Sequence, residues 1–353
     1  MRRIYLIRHG HPDFPINAHM CLGRTDTPLG ALGRMQACLR GESLRGDTLT
    51  AVFSSPLTRC RETAAPLGRE PVLVQALAEQ DMGPWDGLDF DAIRDAWPDL
   101  YARRAAEPLL VPPGAETLAE VQRRVLPALE MCLDDSRGDI AIVAHASVIQ
   151  ALLAAVLGVP LEKSKPLRPG YTGCAVLACD GSLRVIEQNR IPELPLSPAL
   201  AGRLLEAAGA GARVEAHCRA VAAEALRIAG QTPLPLDTEL LASAALLHDA
   251  ARGSADHARL GAAWLRALGY PEAAALVERH HDWSGEALDE AAILYLADKC
   301  VQEDRRVTLR ERFAASEKRC TGAKALSAHA RRYEQALRIR DRLNALCGRT
   351  IVE

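Results

Sequence analysis

One break in rhythm constrains this chain more than any other feature of its sequence. Before it, short apolar runs alternate with helical segments. The runs are Ile4-Tyr5-Leu6-Ile7, Ala51-Val52-Phe53, Val72-Leu73-Val74, Ile140-Ala141-Ile142-Val143, Cys174-Ala175-Val176-Leu177 and Leu183-Arg184-Val185-Ile186. Continuous apolar runs predict strands covered on both faces. Helices are expected near residues 30–44, 57–67, 116–134 and 147–157. That pattern makes residues 1–193 a three-layer α/β domain with a mostly parallel sheet. The stretch Ile191-Pro192-Glu193-Leu194-Pro195-Leu196-Ser197-Pro198 then has to run extended, because proline disfavours helix at the residue before it. Ser197-Pro198 reads as an N-cap followed by the first helical residue. Strand signals stop there. Residues 194–353 are expected to be all-α, with loops near 231–236 and 283–286.

Composition narrows the function. The net charge, 43 − 45 = −2, argues against an electrostatic binder of nucleic acid or membranes. Aromatic residues are only 4%, too few for a single-strand stacking platform. Arg8 and His9 cut the first apolar run short of an export signal, and no stretch approaches membrane-spanning length. The ten cysteines form no C-x-x-C pair, which suits small buried side chains in a reducing compartment. A cytoplasmic protein is expected.

The first strand delivers Arg8-His9-Gly10 at its C-terminal end, where α/β sheets bind ligands. Alone, that tripeptide is equally a turn with a solvated arginine. More motifs follow in order: Gly23-Arg24-Thr25-Asp26-Thr27-Pro28-Leu29 with Gly33, Ser54-Ser55-Pro56-Leu57-Thr58-Arg59-Cys60-Arg61-Glu62-Thr63-Ala64, and Leu77-Ala78-Glu79. Gly83-Pro84-Trp85-Asp86-Gly87, Gly114-Ala115-Glu116-Thr117 and Val143-Ala144-His145 complete the set. With these, residues 1–190 resemble the histidine phosphatase superfamily, which includes phosphoglycerate mutases, acid phosphatases and α-ribazole phosphatases. The resemblance implies that His9 accepts the phosphoryl group, that Arg8, Arg59 and His145 surround it, and that Glu79 is the general acid. It implies no cofactor. Thr25 and Glu116 match pocket positions that bind substrate or merely orient their neighbours, and Arg61 is expected at the surface. The chemistry asks for these types: a neutral imidazole as nucleophile, guanidinium forks for phosphate oxygens, and a carboxyl proton for the leaving alkoxide. Two departures bear on substrate choice. His11-Pro12 stands where many members carry Glu-Thr or Glu-Ser, and Ala146 stands where a glycine usually follows the second histidine. The domain lacks long insertions that would shield an intermediate, so water is the expected acceptor.

The helical half carries His217, His248, His257, His280, His281 and His329. His217 shares a helical face with Val214, Val221 and Ile228; His257 shares one with Leu260, Gly261, Trp264 and Leu268. His248-Asp249 ends an apolar run, His280-His281-Asp282 closes another helix, and Asp298 lies within residues 293–301. A single such histidine is commonly a satisfied core residue. Several facing inward with carboxylates are costly without a partner, and a metal ion satisfies them together. The order is similar to that of the HD superfamily of metal-dependent phosphohydrolases, over residues 198–310. The H…HD…D set falls on His217, His248, Asp249 and Asp298, and His257, His280 and His281 resemble the extra ligands of two-metal members. The Gly-Tyr-Pro element of one such branch is replaced by Trp283-Ser284-Gly285, against a cyclic-dinucleotide substrate. Mixed nitrogen and oxygen ligands suit one or two Fe, Mn, Co, Ni or Zn ions, which activate water. Arg252 is a candidate phosphate contact, Lys299 is expected to be solvated, and His329 exposed.

These readings add up to a bifunctional phosphohydrolase acting on small phosphorylated metabolites or nucleotides. The alternative is a histidine phosphatase regulated by a non-catalytic HD domain that senses metal and nucleotide.

Overall fold

The computed structural model of the chain describes residues 2–104, 106–107 and 109–353. Two compact units divide it, Met1–Leu194 and Pro195–Glu353.

The first unit is built on a sheet of six strands: β1 (Arg2–Arg8), β2 (Leu49–Ser54), β3 (Val72–Leu73), β4 (Asp139–Ala144), β5 (Cys174–Cys179) and β6 (Leu183–Arg190). Their spatial order is β3-β2-β4-β1-β5-β6. The first four pair in parallel, and β5 and β6 extend the sheet antiparallel. Four helices cover it: α1 (Ala31–Ser43), α2 (Thr58–Ala64), α3 (Leu118–Asp134) and α4 (Ala146–Leu157). The pleat sorts side chains between two cores. Ile4, Leu6, Ile140 and Ile142 meet Val125, Leu129 and Leu152 of α3 and α4. Tyr5, Ile7, Ala141 and Val143 meet Cys60 and Ala64 of α2 on the other side. Helix α3 starts where it does because Thr117 and Glu120 form a reciprocal capping box. Helix α4 ends on Gly158 in the left-handed region, at φ 65°.

One expectation needs correction, and two short helices were not expected. Val72, Leu73 and Ile186 are about half exposed, so β3 and β6 are sheet edges and not strands covered on both faces. Phe90–Ala96 and Pro98–Arg103 are short helices that apolar periodicity does not announce.

The second unit contains α5 (Pro198–Ala208), α6 (Ala212–Ala229), α7 (Thr238–Leu247), α8 (His257–Ala267), α9 (Pro271–Arg279), α10 (Glu290–Lys299), α11 (Leu309–Glu317) and α12 (Ala323–Cys347). Ser197 caps α5 by accepting the Leu200 N–H, with Pro198 as first helical residue. Helices α7 and α10 form the centre, buried from Leu241 to Leu247 and from Ala291 to Lys299. The unit is not purely helical: Val301–Gln302 and Arg305–Arg306 pair as a two-residue ribbon, turning at Glu303 with φ 58°. A ribbon this short leaves no periodic trace in sequence. Trp283, in an expected loop, is a core residue. No helix among the described residues is long and apolar enough to cross a membrane. Among the described residues no cysteine is joined in a disulfide; six of the ten are buried and four half-buried.

Candidate functional site

The C-terminal ends of β1 and β4 and the first turns of α2 and α4 bring Arg8, His9, Arg59 and His145 together. The rings of His9 and His145 lie 5.1 Å apart, centroid to centroid. His9 Nδ1 is 2.7 Å from the Gly10 carbonyl, which can only accept. Nδ1 therefore carries the hydrogen, and in the neutral ring Nε2 keeps its lone pair. Burial, and then the cations Arg59 and Arg8, hold His9 well below the ordinary imidazole range. Burial and Arg59 do the same to His145, whose Nε2 lies 2.8 Å from Ser55 Oγ.

Arg59 is fully buried and donates to the carbonyls of Thr25 at 2.8 Å and Gly23 at 2.7 Å. Arg8 donates to the Pro169 carbonyl at 2.9 Å and stacks 4.0 Å over the Tyr171 ring. The Nε atoms of both arginines are buried and lack a hydrogen-bond partner among the described residues. Such orphaned donors are rare, and a bound anion would satisfy them. Glu79 is buried beside α4, accepting the Gln80 N–H at 2.8 Å and the Ser147 N–H at 3.5 Å.

Residues farther out hold these groups. Asp86 accepts the N–H groups of Gly23, Arg24 and Thr25 at 2.7–2.8 Å, which aims two carbonyls of that turn at Arg59. Arg124 forks onto Glu116 at 2.6 and 2.9 Å and also donates to the carbonyls of Ala76, Ala78 and Glu79. Burial alone would raise Glu116, but the Arg124 fork outweighs it and holds the carboxyl below its usual range. At Gly33, a Cβ would meet the His11 carbonyl oxygen at 2.0 Å, so only glycine lets α1 support the turn after β1.

In the second unit, three helix C-termini converge. Helix α7 ends at His248-Asp249, α9 at His280-His281, and α10 carries Asp298 in its last turn. Helix C-termini are the electronegative ends and favour cations. His217 comes from α6, and His257 opens α8. Asp249 divides its two oxygens. Oδ2 lies 3.8 Å from His217 Nε2 and 3.6 Å from His248 Nε2, on the side where Asp298 Oδ1 is 3.2 Å from His217. Oδ1 faces His257 Nε2 at 3.1 Å and His280 Nε2 at 3.7 Å, with His281 2.7 Å from His257. Each Nδ1 of His217, His248 and His280 is 2.6–2.7 Å from a backbone carbonyl, that of Glu303, Ala245 or Val277. This orients the rings and leaves Nε2 as the available ligand atom. His248 Nε2, His280 Nε2 and Asp249 Oδ1 are buried without a hydrogen-bond partner. Burial opposes ionisation of Asp249 and Asp298. The imidazoles around Asp249, and Lys299 with His217 beside Asp298, nevertheless hold both carboxyls far below their usual range. Imidazole nitrogens and carboxylate oxygens, with ligand atoms left unpaired, fit one or two divalent ions, and Asp249 is common to both ligand sets.

Residues 4–191, more than half of the chain, match the family model of the histidine phosphatase superfamily (branch 1). The chain belongs to that superfamily. Residues 214–302 of this histidine phosphatase match the HD domain, a typically metal-dependent class. It is 30% identical over 174 residues to the glucosyl-3-phosphoglycerate phosphatase of Mycolicibacterium vanbaalenii, spanning 46% of this chain and 77% of that protein. Among solved structures, Bacillus stearothermophilus YhfR superposes with a TM-score of 0.50 at 29% identity, covering 54% of this chain and 97% of that one. A mycobacterial glucosyl-3-phosphoglycerate phosphatase complexed with VO3 gives 0.50 at 28% identity, covering 54% of this chain and 99% of that one. The chain is a phosphoric ester hydrolase.

Not every residue read from the sequence of this histidine phosphatase lies where the reading put it. Thr25 is exposed, and its backbone carbonyl is what touches Arg59. Glu116 is engaged by Arg124 and braces the Glu79 turn. Arg61 is exposed, as expected. Arg252 is half exposed and ion-paired with Asp249, one of the candidate metal ligands. Lys299 is not solvated: it is buried, with Nζ 2.7 Å from Asp298 and 3.0 Å from the His280 carbonyl. His329 is half-buried against Ser316 and the Phe313 carbonyl. Sequence reasoning missed Arg124 and Tyr171 altogether. It quoted Asp86 within a motif without a role, although an aspartate between a tryptophan and a glycine is a ready acceptor for turn N–H groups.

Proposed function

We propose that the first unit hydrolyses a small phosphomonoester through a phosphohistidine on His9. The second unit, in this reading, hydrolyses a phosphoester or nucleotide at a divalent-metal centre. For the first unit the carrying observation is the pair of orphaned Nε–H donors on Arg8 and Arg59 beside a neutral His9. His9 Nε2 attacks phosphorus in line, the bond to the leaving oxygen breaks, and Glu79 gives that oxygen a proton. Arg8, Arg59 and His145 hold the non-bridging oxygens as charge develops. Water then attacks the phosphohistidine with Glu79 as base, releasing orthophosphate and free His9. The named phosphatase relatives support a small phosphorylated metabolite as substrate.

For the second unit the carrying observation is the division of Asp249 between two sets of imidazoles. His217, His248, Asp298 and Asp249 would hold one ion, and Asp249, His257, His280 and His281 a second. A bound Fe, Mn, Co, Ni or Zn ion would supply Lewis acidity and an acidified water ligand. Lys299 offsets the charge of Asp298 behind the centre, and Arg252 stands where it can take a phosphate oxygen.

A phosphoester panel assayed with EDTA and with added Mn²⁺, beside His9→Ala and Asp249→Ala variants, tests both halves. One activity should resist chelation and vanish with His9→Ala. Another should need metal and vanish with Asp249→Ala. If Asp249→Ala instead alters only the chelation-resistant activity, the second unit is a regulator.

A further inference from the structure

Next to the metal centre the second unit has a cavity of about 430 Å³. His217 forms part of its wall, so the space opens onto the ligand set. A volume of this size falls within the range of small-molecule sites, which is roughly 300–1,000 Å³. Four arginines line it: Arg213 from α6, Arg252 after the His248-Asp249 pair, Arg312 from α11, and Arg319 just beyond α11. The lining carboxylate is Glu303, which lies 2.8 Å from Arg213. Arg252 is matched by Asp249. Arg312 uses its Nε on the Val301 carbonyl at 3.1 Å, and neither Arg312 nor Arg319 forms an ion pair among the described residues. Two of the lining arginines therefore have no carboxylate partner among the described residues.

We infer that the ligand of this unit carries at least two phosphate groups, one at the metal centre and a terminal one held by Arg312 and Arg319. This deepens the hydrolytic reading of the second unit and rests on it for the placement of the first phosphate. The charge count selects phosphate for the second group. A terminal phosphate carries about −1.5 to −2 at neutral pH, which matches two guanidiniums, whereas a carboxylate matches one. The metal centre would already answer a single phosphate, so a monophosphate would leave the α11 pair without a partner. Both arginines lie beyond residues 214–302, so the segment after the HD domain sets this preference.

Calorimetric titration of the full Mn²⁺-loaded chain, with Mn²⁺ kept in excess over the probe, tests the inference. The probes are inorganic pyrophosphate, orthophosphate and phosphonoacetate, which replaces the second phosphate by a carboxylate. Pyrophosphate should bind at least about tenfold more tightly than either of the others, as expected for charge-assisted hydrogen bonds to two guanidiniums. The double variant Arg312→Gln/Arg319→Gln should lose that preference while its orthophosphate affinity and Mn²⁺ content stay the same. The inference fails if the wild-type chain shows no preference, if the variant keeps it, or if phosphonoacetate matches pyrophosphate. Because the readout is binding, a chain that shows the preference but hydrolyses no phosphoester sinks the hydrolytic reading and leaves this one standing.

Discussion

In-line attack on phosphorus needs a neutral imidazole, and burial does most to keep His9 in that form, with Arg59 and Arg8 adding to it. The folded-state pKa of His9, like that of His145, lies below the unfolded value of about 6.5. Between those values the unfolded chain holds the extra proton, so folding stability rises with pH. As the solution is acidified below about pH 6.5, the first unit should lose up to about 1.4 kcal/mol per pH unit for each ring. Imidazole ¹⁵N NMR at pH 6 should find both rings neutral, with the His9 proton on Nδ1. Protonation of folded His9 at or above pH 6.5 would reverse the sign of the stability change and remove the nucleophile. Lys299 is accommodated differently, its buried Nζ donating to Asp298 and lying over the Tyr295 ring.

At the scale of elements, helix α3 contributes chemistry without touching the reacting atoms. Its Arg124 ties Glu116 and the 76–79 turn to one guanidinium, so the position of Glu79 depends on a residue 45 positions away. Replacing Arg124 by Leu should lower kcat about ten- to a hundredfold, because displacing a catalytic group by an ångström costs rate on that scale. KM should change much less. Arg124→Lys should rescue little, since an ammonium cannot fork onto a carboxylate and several carbonyls at once. Steady-state kinetics of both variants check this; a kcat near wild type in either would show that the turn holds Glu79 unaided. The ribbon at Val301–Gln302 and Arg305–Arg306 plays the corresponding part in the second unit, its turn carbonyl at Glu303 orienting His217.

Across the whole molecule, the two units depend on different partners. The first unit's pocket gathers unpaired cationic donors on Arg8 and Arg59, which suit an anion, whereas the second buries Asp249, Asp298 and several imidazoles around unpaired ligand atoms, which suit a cation. Metal binding should therefore stabilise only the second unit, by about 4 kcal/mol when free metal is a thousandfold above Kd. In scanning calorimetry, EDTA should lower one unfolding transition and leave the other in place, together with the chelation-resistant phosphatase activity. A shift of both transitions together would show that the units do not unfold separately.

The α/β-then-helical order is legible in the sequence, because strand runs, helical spacing and the proline-rich break are local signals that neighbouring residues carry. So are the chemical types at both sites, since Arg8-His9-Gly10 and His248-Asp249 each lie at the end of an apolar run that has to be buried. What those groups touch depends on how the chain folds back on itself. Asp86 secures a turn more than 60 positions earlier, and Asp249 parts its oxygens between His217 and His257. Lys299 is drawn inside because Asp298 and the His280 carbonyl wait there. Val72 and Leu73 are left at an edge because β3 is the last strand on that side of the sheet among the described residues. Contacts of this kind join residues far apart along the chain, and no local periodicity or propensity encodes a long-range hydrogen bond.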